Sequence, residues 1–282
     1  MIRNHSVPAD TVLPHVVYTG VDEAIDWLTK TFGFIEHYRY GDPNAPSGAQ
    51  MHLGNAWIML RQARPGQSTP AELGGGTQSL TVFIDDVDAH FERAKSAGAR
   101  IVEELNETAY GERQYGAVDF AGHRWLFSRH ARDVNPSEWG AKVSKLVTMT
   151  PQISPGQGTT VVPLLSVRRG AQAIEFYKAA FGARELLRIE DEGGAVVARL
   201  SVGESEFWLA DESPENSNFS PETLAGSSVR MVVTTDSPDA AFQRAVEAGA
   251  RVVYPVEDQP YGWRVGRLLD PYGHHWEIGK PL

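Results

Sequence analysis

Hydrophobic and polar positions along the chain change their spacing several times, and each spacing predicts a different element. An apolar stretch at Leu13–Thr19 precedes VDEAIDWLTKTFG, where apolar residues recur at helical intervals. Two segments that end in AQMHLGN and AWIMLRQ then alternate like the strands of a hairpin that turns at Gly54 and Asn55. The same order starts again at LTVFIDD, so the first half of the chain predicts two βαβββ modules.

The second half of the chain repeats the first. Ala24 and Ile25 align with Ala173 and Ile174 at an offset of 149 positions. Further along, DAHFERAKSAGARIV aligns with DAAFQRAVEAGARVV at an offset of 151, which persists to the segments GHRW and GHHW. Matches at two fixed offsets over this length indicate two homologous domains.

The repeat divides the chain into four segments. Residues 1–11 form an N-terminal tail, residues 12–131 and 159–282 form two domains, and residues 132–158 form a linker rich in Pro, Gly and Ser. Each domain contains two modules, so the predicted fold is α+β, with four βαβββ modules forming two half-barrels. A sheet that curls into a half-open cup offers a place for a small organic ligand.

Composition narrows the classes of partner. The chain has 282 residues, no cysteine and a net charge of −10. Disulfides, thiolate metal ligands and a cysteine nucleophile are therefore excluded. An acidic chain without a run of Lys and Arg argues against nucleic acid or an anionic membrane as a partner.

The start of the sequence and the number of modules lead to expectations about cellular location and oligomeric state. The start of the sequence lacks the basic-then-apolar pattern of a signal peptide, so a cytoplasmic location is expected. Four modules in one chain can close both cups without a partner. We therefore expect a monomer, with a homodimer as the alternative.

Three pairs of segments carry a resemblance to a known family. They are AIDWLTKTFGF and AIEFYKAAFGA, DDVDAHFERAKSAGA and DSPDAAFQRAVEAGA, and YGERQYGAVDFAGHRW and YGWRVGRLLDPYGHHWEI. In these segments the chain resembles a tandem two-domain member of the glyoxalase/bleomycin-resistance/extradiol-dioxygenase superfamily, also called the vicinal oxygen chelate fold. The resemblance implies paired βαβββ modules, but it does not select a reaction, because the superfamily includes lyases, isomerases, dioxygenases and non-catalytic drug binders.

The resemblance also implies where a divalent metal, Fe, Ni, Mn or Zn, would be held. Its ligands come from the first and last strands of paired modules, usually as two His and one or two Glu. In this chain only His15, in module one, and Glu277, in module four, are ligand types at those positions. The other such positions carry Ser79, Leu164 and Arg230 on first strands, and Met59, Leu126 and Trp208 on last strands.

No pair of modules within one domain therefore offers a complete metal site. If module one pairs with module four, His15, Glu277 and Arg230 come to lie in one cup. A guanidinium cannot bind a metal and opposes a cation, whereas it suits a carboxylate or phosphate group on a ligand.

Several residues remain as candidates for the site, each with a structural alternative. His15 and Glu277 are the candidate catalytic residues and metal ligands; the alternatives are a hydrogen-bonded strand histidine and a salt bridge to an arginine such as Arg230. The candidate ligand-binding residues are Arg230, Tyr261, Trp263, Arg264, His52, His275 and Trp208. Arg264 is repeated as Arg113, which suggests that it could instead brace a loop against a carboxylate.

Three functions fit these residues. We favour a protein that binds a small organic ligand in a cup, without a complete metal site. The first alternative is a metal-dependent lyase, isomerase or dioxygenase with one site between modules one and four. The second is a metal-free enzyme that uses Glu277 or His15 as a general base and an arginine to hold an anionic intermediate.

Overall fold

The computed structural model of the chain describes residues 12–64, 67–139, 142–146 and 159–282. The predicted tail and most of the predicted linker lie outside these ranges. Within the described ranges, no helix combines the length and the apolar character needed to cross a membrane.

The first two modules have the predicted order of elements. Module one consists of β1 (Val12–Tyr18), α1 (Val21–Phe32), β2 (Ile35–Asp42), β3 (Ala45–Leu53) and β4 (Ala56–Gln62). A short helix, α2 (Pro70–Leu73), precedes module two, which consists of β5 (Gln78–Phe83), α3 (Val87–Ser96), β6 (Arg100–Glu107), β7 (Glu112–Val118) and β8 (Arg124–His130). A 3-10 turn, Pro136–Trp139, and strand β9, Lys142–Leu146, follow in the linker.

The last two modules repeat this order. Module three consists of β10 (Thr160–Val167), α4 (Gly170–Phe181), β11 (Arg184–Glu190), β12 (Val196–Val202) and β13 (Ser205–Asp211). A 3-10 turn, Pro214–Asn216, and α5 (Pro221–Leu224) lead to module four, which consists of β14 (Val229–Thr234), α6 (Pro238–Glu247), β15 (Arg251–Gln259), β16 (Trp263–Leu269) and β17 (His275–Pro281).

The strands form two mixed sheets, and each sheet takes one module from each half of the chain. The outer-module sheet, from modules one and four, has the order β15-β16-β17-β14-β1-β4-β3-β2. The inner-module sheet, from modules two and three, has the order β6-β7-β8-β5-β10-β13-β12-β11, with β9 added at its edge. Antiparallel pairs join the modules, β1 to β14 and β5 to β10. The α+β class with four βαβββ modules is confirmed, and the modules pair one with four and two with three.

The helices cover one face of each sheet and follow the apolar spacing of the sequence. In α1 the buried side chains include Ala24, Ile25, Leu28 and Phe32, and the helix ends at Gly33, whose φ of 80° is left-handed. Buried residues group into two large cores, one drawn almost wholly from the first half of the chain and one from the second. The hydrophobic cores therefore follow the sequence repeats, whereas the sheets cross them.

A buried polar network ties the two sheets together within each repeat. Asp119 accepts hydrogen bonds from the Tyr18 hydroxyl at 2.7 Å and from Trp125 Nε1 at 3.1 Å. In the second repeat, Asp270 accepts from the Tyr177 hydroxyl at 2.7 Å and from Trp276 Nε1 at 2.9 Å. Tyr18 lies on β1 and Tyr177 lies on α4, so in each repeat the Tyr comes from one module and the Trp from the other. The network therefore fixes the two modules of a repeat relative to each other.

Candidate functional site

The face of the outer-module sheet that points away from the helices carries the candidate residues. On β1, Val16 and Tyr18 belong to the helix-covered core, and strand alternation places Leu13 and His15 on the opposite face. His15 lies directly across from Arg230 in the β1–β14 pair. Glu277 lies across from Arg267 in the β16–β17 pair. We call this face the outer-module cup.

Three guanidinium groups surround the carboxylate of Glu277 in this cup. Arg230 Nη1 donates to Glu277 Oε1, and Arg267 Nη2 donates to the same oxygen at 2.8 Å. Arg61 Nη1 lies 3.9 Å from Glu277 Oε2. The exposed fractions of the Arg230, Arg267 and Arg61 side chains are 3%, 9% and 15%. We call these four residues the arginine cluster; three buried or half-buried cations share one carboxylate.

The contact between Arg61 and Glu277 spans the middle of the sheet. The strands that carry them, β4 and β17, are separated by β1 and β14. Three strand spacings of about 4.8 Å lie between them. Both side chains therefore lean over the face towards its centre, so the guanidinium of Arg61 is positioned above the floor of the cup.

His15 is buried at the floor, with 8% of its surface exposed. Its Nδ1 lies 3.5 Å from Arg61 Nη1. Burial, reinforced by the charges of Arg230 and Arg61, holds the pKa of His15 well below its ordinary value of 6.5. The imidazole is therefore neutral at pH 7 and adds no charge to the arginine cluster.

Apolar side chains line the floor beside the charges. Leu13, Met59 and Val232 form a buried cluster, against which Trp57 and Trp263 pack with part of their surface exposed. His52 stacks on Trp57, with ring centroids 4.5 Å apart, and its Nδ1 donates to the Gly54 carbonyl at 3.1 Å. The cup thus combines two aromatic walls with a cationic centre.

Tyr261 lies at the rim of the cup. Most of its ring is exposed, and partial burial together with the charge of Glu277 raises the pKa of its hydroxyl, while the charges of Arg61 and Arg230 oppose this. Tyr261 stands in the turn between β15 and β16, two residues before Trp263.

His275 lies at one end of the cup, in register with Arg230. Both residues line a crevice of about 290 Å³ that Val17 and Leu269 also border. Burial and then the charge of Arg230 lower the pKa of His275. The crevice therefore extends the cup past the ends of β14 and β17.

Two of the candidate residues lie elsewhere. Arg264 points to the outer side of its sheet, where Nε donates to Asp239 and Nη1 donates to Asp258, both at 2.8 Å. Arg113 makes the same contact with Asp88 in the first repeat, with Nε 2.9 Å from Oδ2. The structure thus places Arg264 as a brace between β16 and α6, away from the cup. Trp208 lies on the inner-module sheet, in register with Leu164.

The model of the Glyoxalase/Bleomycin resistance protein/Dioxygenase superfamily matches residues 12–127 and 159–278, which is most of the sequence. The chain belongs to this superfamily.

Similar proteins show how widely this relationship extends. Uncharacterized protein Rv0887c of Mycobacterium tuberculosis is 40% identical over 124 residues, which are 43% of this chain and 73% of the relative. Uncharacterized protein At5g48480 of Arabidopsis thaliana is 31% identical over 121 residues, which are 40% of this chain and 72% of the relative. Their names assign no activity.

Solved structures share the fold over nearly the whole chain. Glyoxalase I from Zea mays matches with a TM-score of 0.66 and 16% identity, over 96% of this chain and 92% of that chain. A putative dioxygenase from Bacillus subtilis matches with a TM-score of 0.58 and 15% identity, over 97% and 84%. At these identities the likeness concerns the fold alone.

Superfamily members often use a divalent metal, and the residues of this cup differ from such a site in number and in charge. Among the described residues, no group of three or more His, Asp or Glu side chains is placed to hold a metal ion. The outer-module cup offers His15 and Glu277, but Glu277 is already bound by guanidinium groups, and three cations oppose a fourth. This donor set does not fit a divalent metal.

The inner-module cup provides an internal comparison for this superfamily fold. The positions that match His15, Arg61, Arg230, Arg267 and Glu277 carry Leu164, Ala210, Ser79, Gly116 and Leu126, respectively. None of these side chains is charged. A cleft of about 1010 Å³ opens at one end of this cup, bordered by Gln78, Val118 and Arg124.

Sequence reasoning did not identify Arg61 and Arg267 as site residues. Each lies in an apolar strand segment, in IMLRQ and VGRLL, and is replaced by a small residue in the other half of the chain. An arginine within an apolar strand segment of one repeat, replaced by a small residue in the other repeat, is the sequence feature that could have identified them.

Proposed function

We propose that the outer-module cup binds a small organic molecule without a resident metal ion. The observation that carries this proposal is the combination of partly exposed Trp57 and Trp263 on an apolar floor with the arginine cluster at its centre. Ligand sites in proteins are typically apolar cavities with a few precisely placed polar groups, and this cup has that composition.

Several features support binding in this cup over the inner-module cup. The positions of Trp57 and Trp263 are occupied there by Glu206 and Glu112. Glu206 pairs with Arg199, whose Nε donates to it at 2.6 Å, so the charges on that side are balanced one to one. The inner-module cup therefore has carboxylates where the outer-module cup has Trp57 and Trp263, and its described residues include no counterpart of the arginine cluster.

The proposal is tested by titrating the purified protein with aromatic compounds in the presence of EDTA, with tryptophan fluorescence as the readout. We expect a saturable change that Trp57→Phe or Trp263→Phe reduces and that Trp208→Phe, in the inner-module cup, retains. Binding that requires an added divalent metal would contradict the proposal, as would the absence of a response to every compound.

A further inference from the structure

Among the residues that the structure describes, the charges of the outer-module cup are not balanced. Arg61, Arg230 and Arg267 carry three positive charges, Glu277 supplies one negative charge, and His15 is neutral at pH 7. Burying charge away from water is costly unless an opposite charge compensates it. The cup therefore carries a net positive charge that a bound anion would neutralise.

The fold does not require this charge. All five matching positions of the inner-module cup are uncharged, although the strands have the same order and the same register. Packing of the sheet is thus achieved without the arginine cluster. The cluster is a special feature of the outer-module cup, and its cost points to a ligand.

The three guanidinium groups differ in how firmly the protein holds them. Arg230 is the most buried and donates directly to Glu277. Arg267 also donates to Glu277 and lies over the Tyr254 ring, 4.6 Å from its centroid, which fixes its plane. Arg61 is the most exposed of the three and makes the longest contact with Glu277. Arg61 and Arg267 are therefore the groups best placed to bind an incoming anion.

We propose that the ligand of the outer-module cup is an organic oxyanion with an apolar body, whose carboxylate or phosphate is bound by Arg61 and Arg267. Glu277 stays paired with Arg230 and neutralises one of the three positive charges, and the ligand adds a second negative charge. Planar guanidinium groups bind such oxygens in pairs, and the ligand body lies between Trp57 and Trp263. This proposal rests on the proposed function and specifies its ligand class.

The test compares three compounds of one shape by isothermal titration calorimetry at low salt with EDTA. They are 1-naphthoate, 1-naphthyl phosphate and the neutral 1-naphthamide. We expect at least one anion to bind about tenfold or more tightly than the amide, and this preference to weaken as salt is added. Binding of only the carboxylate or only the phosphate identifies which oxyanion the cup accepts.

Variants locate the anion. Arg61→Gln is expected to reduce the affinity for the preferred anion by about tenfold and to leave the affinity for the amide within about twofold. Arg61→Lys keeps the positive charge but lacks the planar guanidinium. Its affinity for the preferred anion should lie between those of Arg61→Gln and the natural protein. The matched control is Arg199→Gln, which removes an arginine from the inner-module cup and should change neither affinity. Thermal unfolding of each variant verifies that it remains folded.

Three outcomes overturn the inference in different ways. If the amide binds as tightly as both anions, the cup binds organic molecules and the oxyanion assignment is wrong, while the proposed function stands. If Arg199→Gln weakens anion binding as much as Arg61→Gln, the anion is bound elsewhere. If none of the three compounds binds, both the inference and the proposed function fail.

Discussion

The two cups of this protein share one scaffold and differ in almost every side chain on their concave faces. The outer-module cup has the arginine cluster and two tryptophans, whereas the inner-module cup has small or apolar residues at the cluster positions and glutamates in place of the tryptophans. By contrast, Asp119 and Asp270 accept from equivalent Trp and backbone N–H donors in both repeats, and each also accepts from a Tyr hydroxyl, which comes from β1 in the first repeat and from α4 in the second. The scaffold is thus maintained by the buried networks, and the cup faces are free to diverge in chemistry.

The comparison also separates structural histidines from those of the cup. His123 Nε2 donates to the Val17 carbonyl at 2.7 Å, and His274 Nε2 donates to the Ser166 carbonyl at 2.8 Å, so both repeats use this histidine to join the sheets. His15 has no counterpart, because Leu164 stands at its position. Residues found in both repeats serve the fold, and residues found in one cup are candidates for function.

The largest effect is expected from the shared network. Asp270→Ala removes the acceptor of two buried side-chain donors and of the Tyr272 and His274 backbone N–H groups. Because buried donors without partners are costly, we expect the free energy of unfolding to fall by about 3–5 kcal/mol. Urea denaturation measures this. Asp119→Ala should lose a similar amount, and a loss under about 1 kcal/mol in only one of the two variants would show that the networks are not equivalent.

A smaller effect is expected when the internal counter-anion is removed. Glu277→Gln leaves three guanidinium groups without a carboxylate, and we expect a loss of about 2–4 kcal/mol in the free energy of unfolding. If the cup binds oxyanions, 1-naphthoate should raise the melting temperature of this variant more than that of the natural protein. The matched control is Glu206→Gln in the inner-module cup. An equal response to 1-naphthoate in Glu277→Gln and the natural protein would argue against Glu277 as a counter-anion.

The pH dependence of stability tests the difference between His15 on the floor of the outer-module cup and Leu164 at the matching position of the inner-module cup. Because the pKa of folded His15 is held well below 6.5, the unfolded chain binds a proton below pH 6.5 that the folded protein does not. The free energy of unfolding therefore decreases as the pH falls below 6.5, by up to about 1.4 kcal/mol per pH unit for this histidine. Arg61 and Arg230 are the charged groups that act on the imidazole, and both stay charged throughout.

His15→Leu, which copies Leu164 of the inner-module cup, should make this pH dependence shallower. It should not abolish it, because the pKa values of His90, about 4, and of His274 and His275 are also lowered. Chemical denaturation between about pH 5 and pH 7 measures the slopes. Equal slopes in the variant and the natural protein would show that His15 is not the buried neutral group described here.

The smallest effect is expected at the braces. On the outer sides of the sheets, Arg264→Gln removes two exposed ion pairs and Arg113→Gln removes one. Such pairs contribute little, so we expect small changes in melting temperature and affinities for 1-naphthoate within about twofold of the natural protein. A loss of affinity in Arg264→Gln alone would show that Arg264 contributes to the cup after all.

Much of the fold was predictable because it is repeated. Two offsets and the spacing of apolar residues were enough to predict four βαβββ modules, and repetition of Arg113 and Arg264 had pointed to a brace. The pairing of modules was not predictable, because nothing local distinguishes β14 from β5 as the neighbour of β1. The roles of Arg61 and Arg267 depend on that pairing, since their strands meet Glu277 only across the assembled sheet.

The most direct measurement is anomalous diffraction from crystals grown with 4-iodobenzoate, which marks the ligand body with iodine and carries one carboxylate. We predict an iodine peak in the outer-module cup near Trp57 and Trp263, with the carboxylate within hydrogen-bonding distance of Arg61 and Arg267. An iodine peak confined to the inner-module cup, or a carboxylate turned away from both guanidinium groups, would contradict the account.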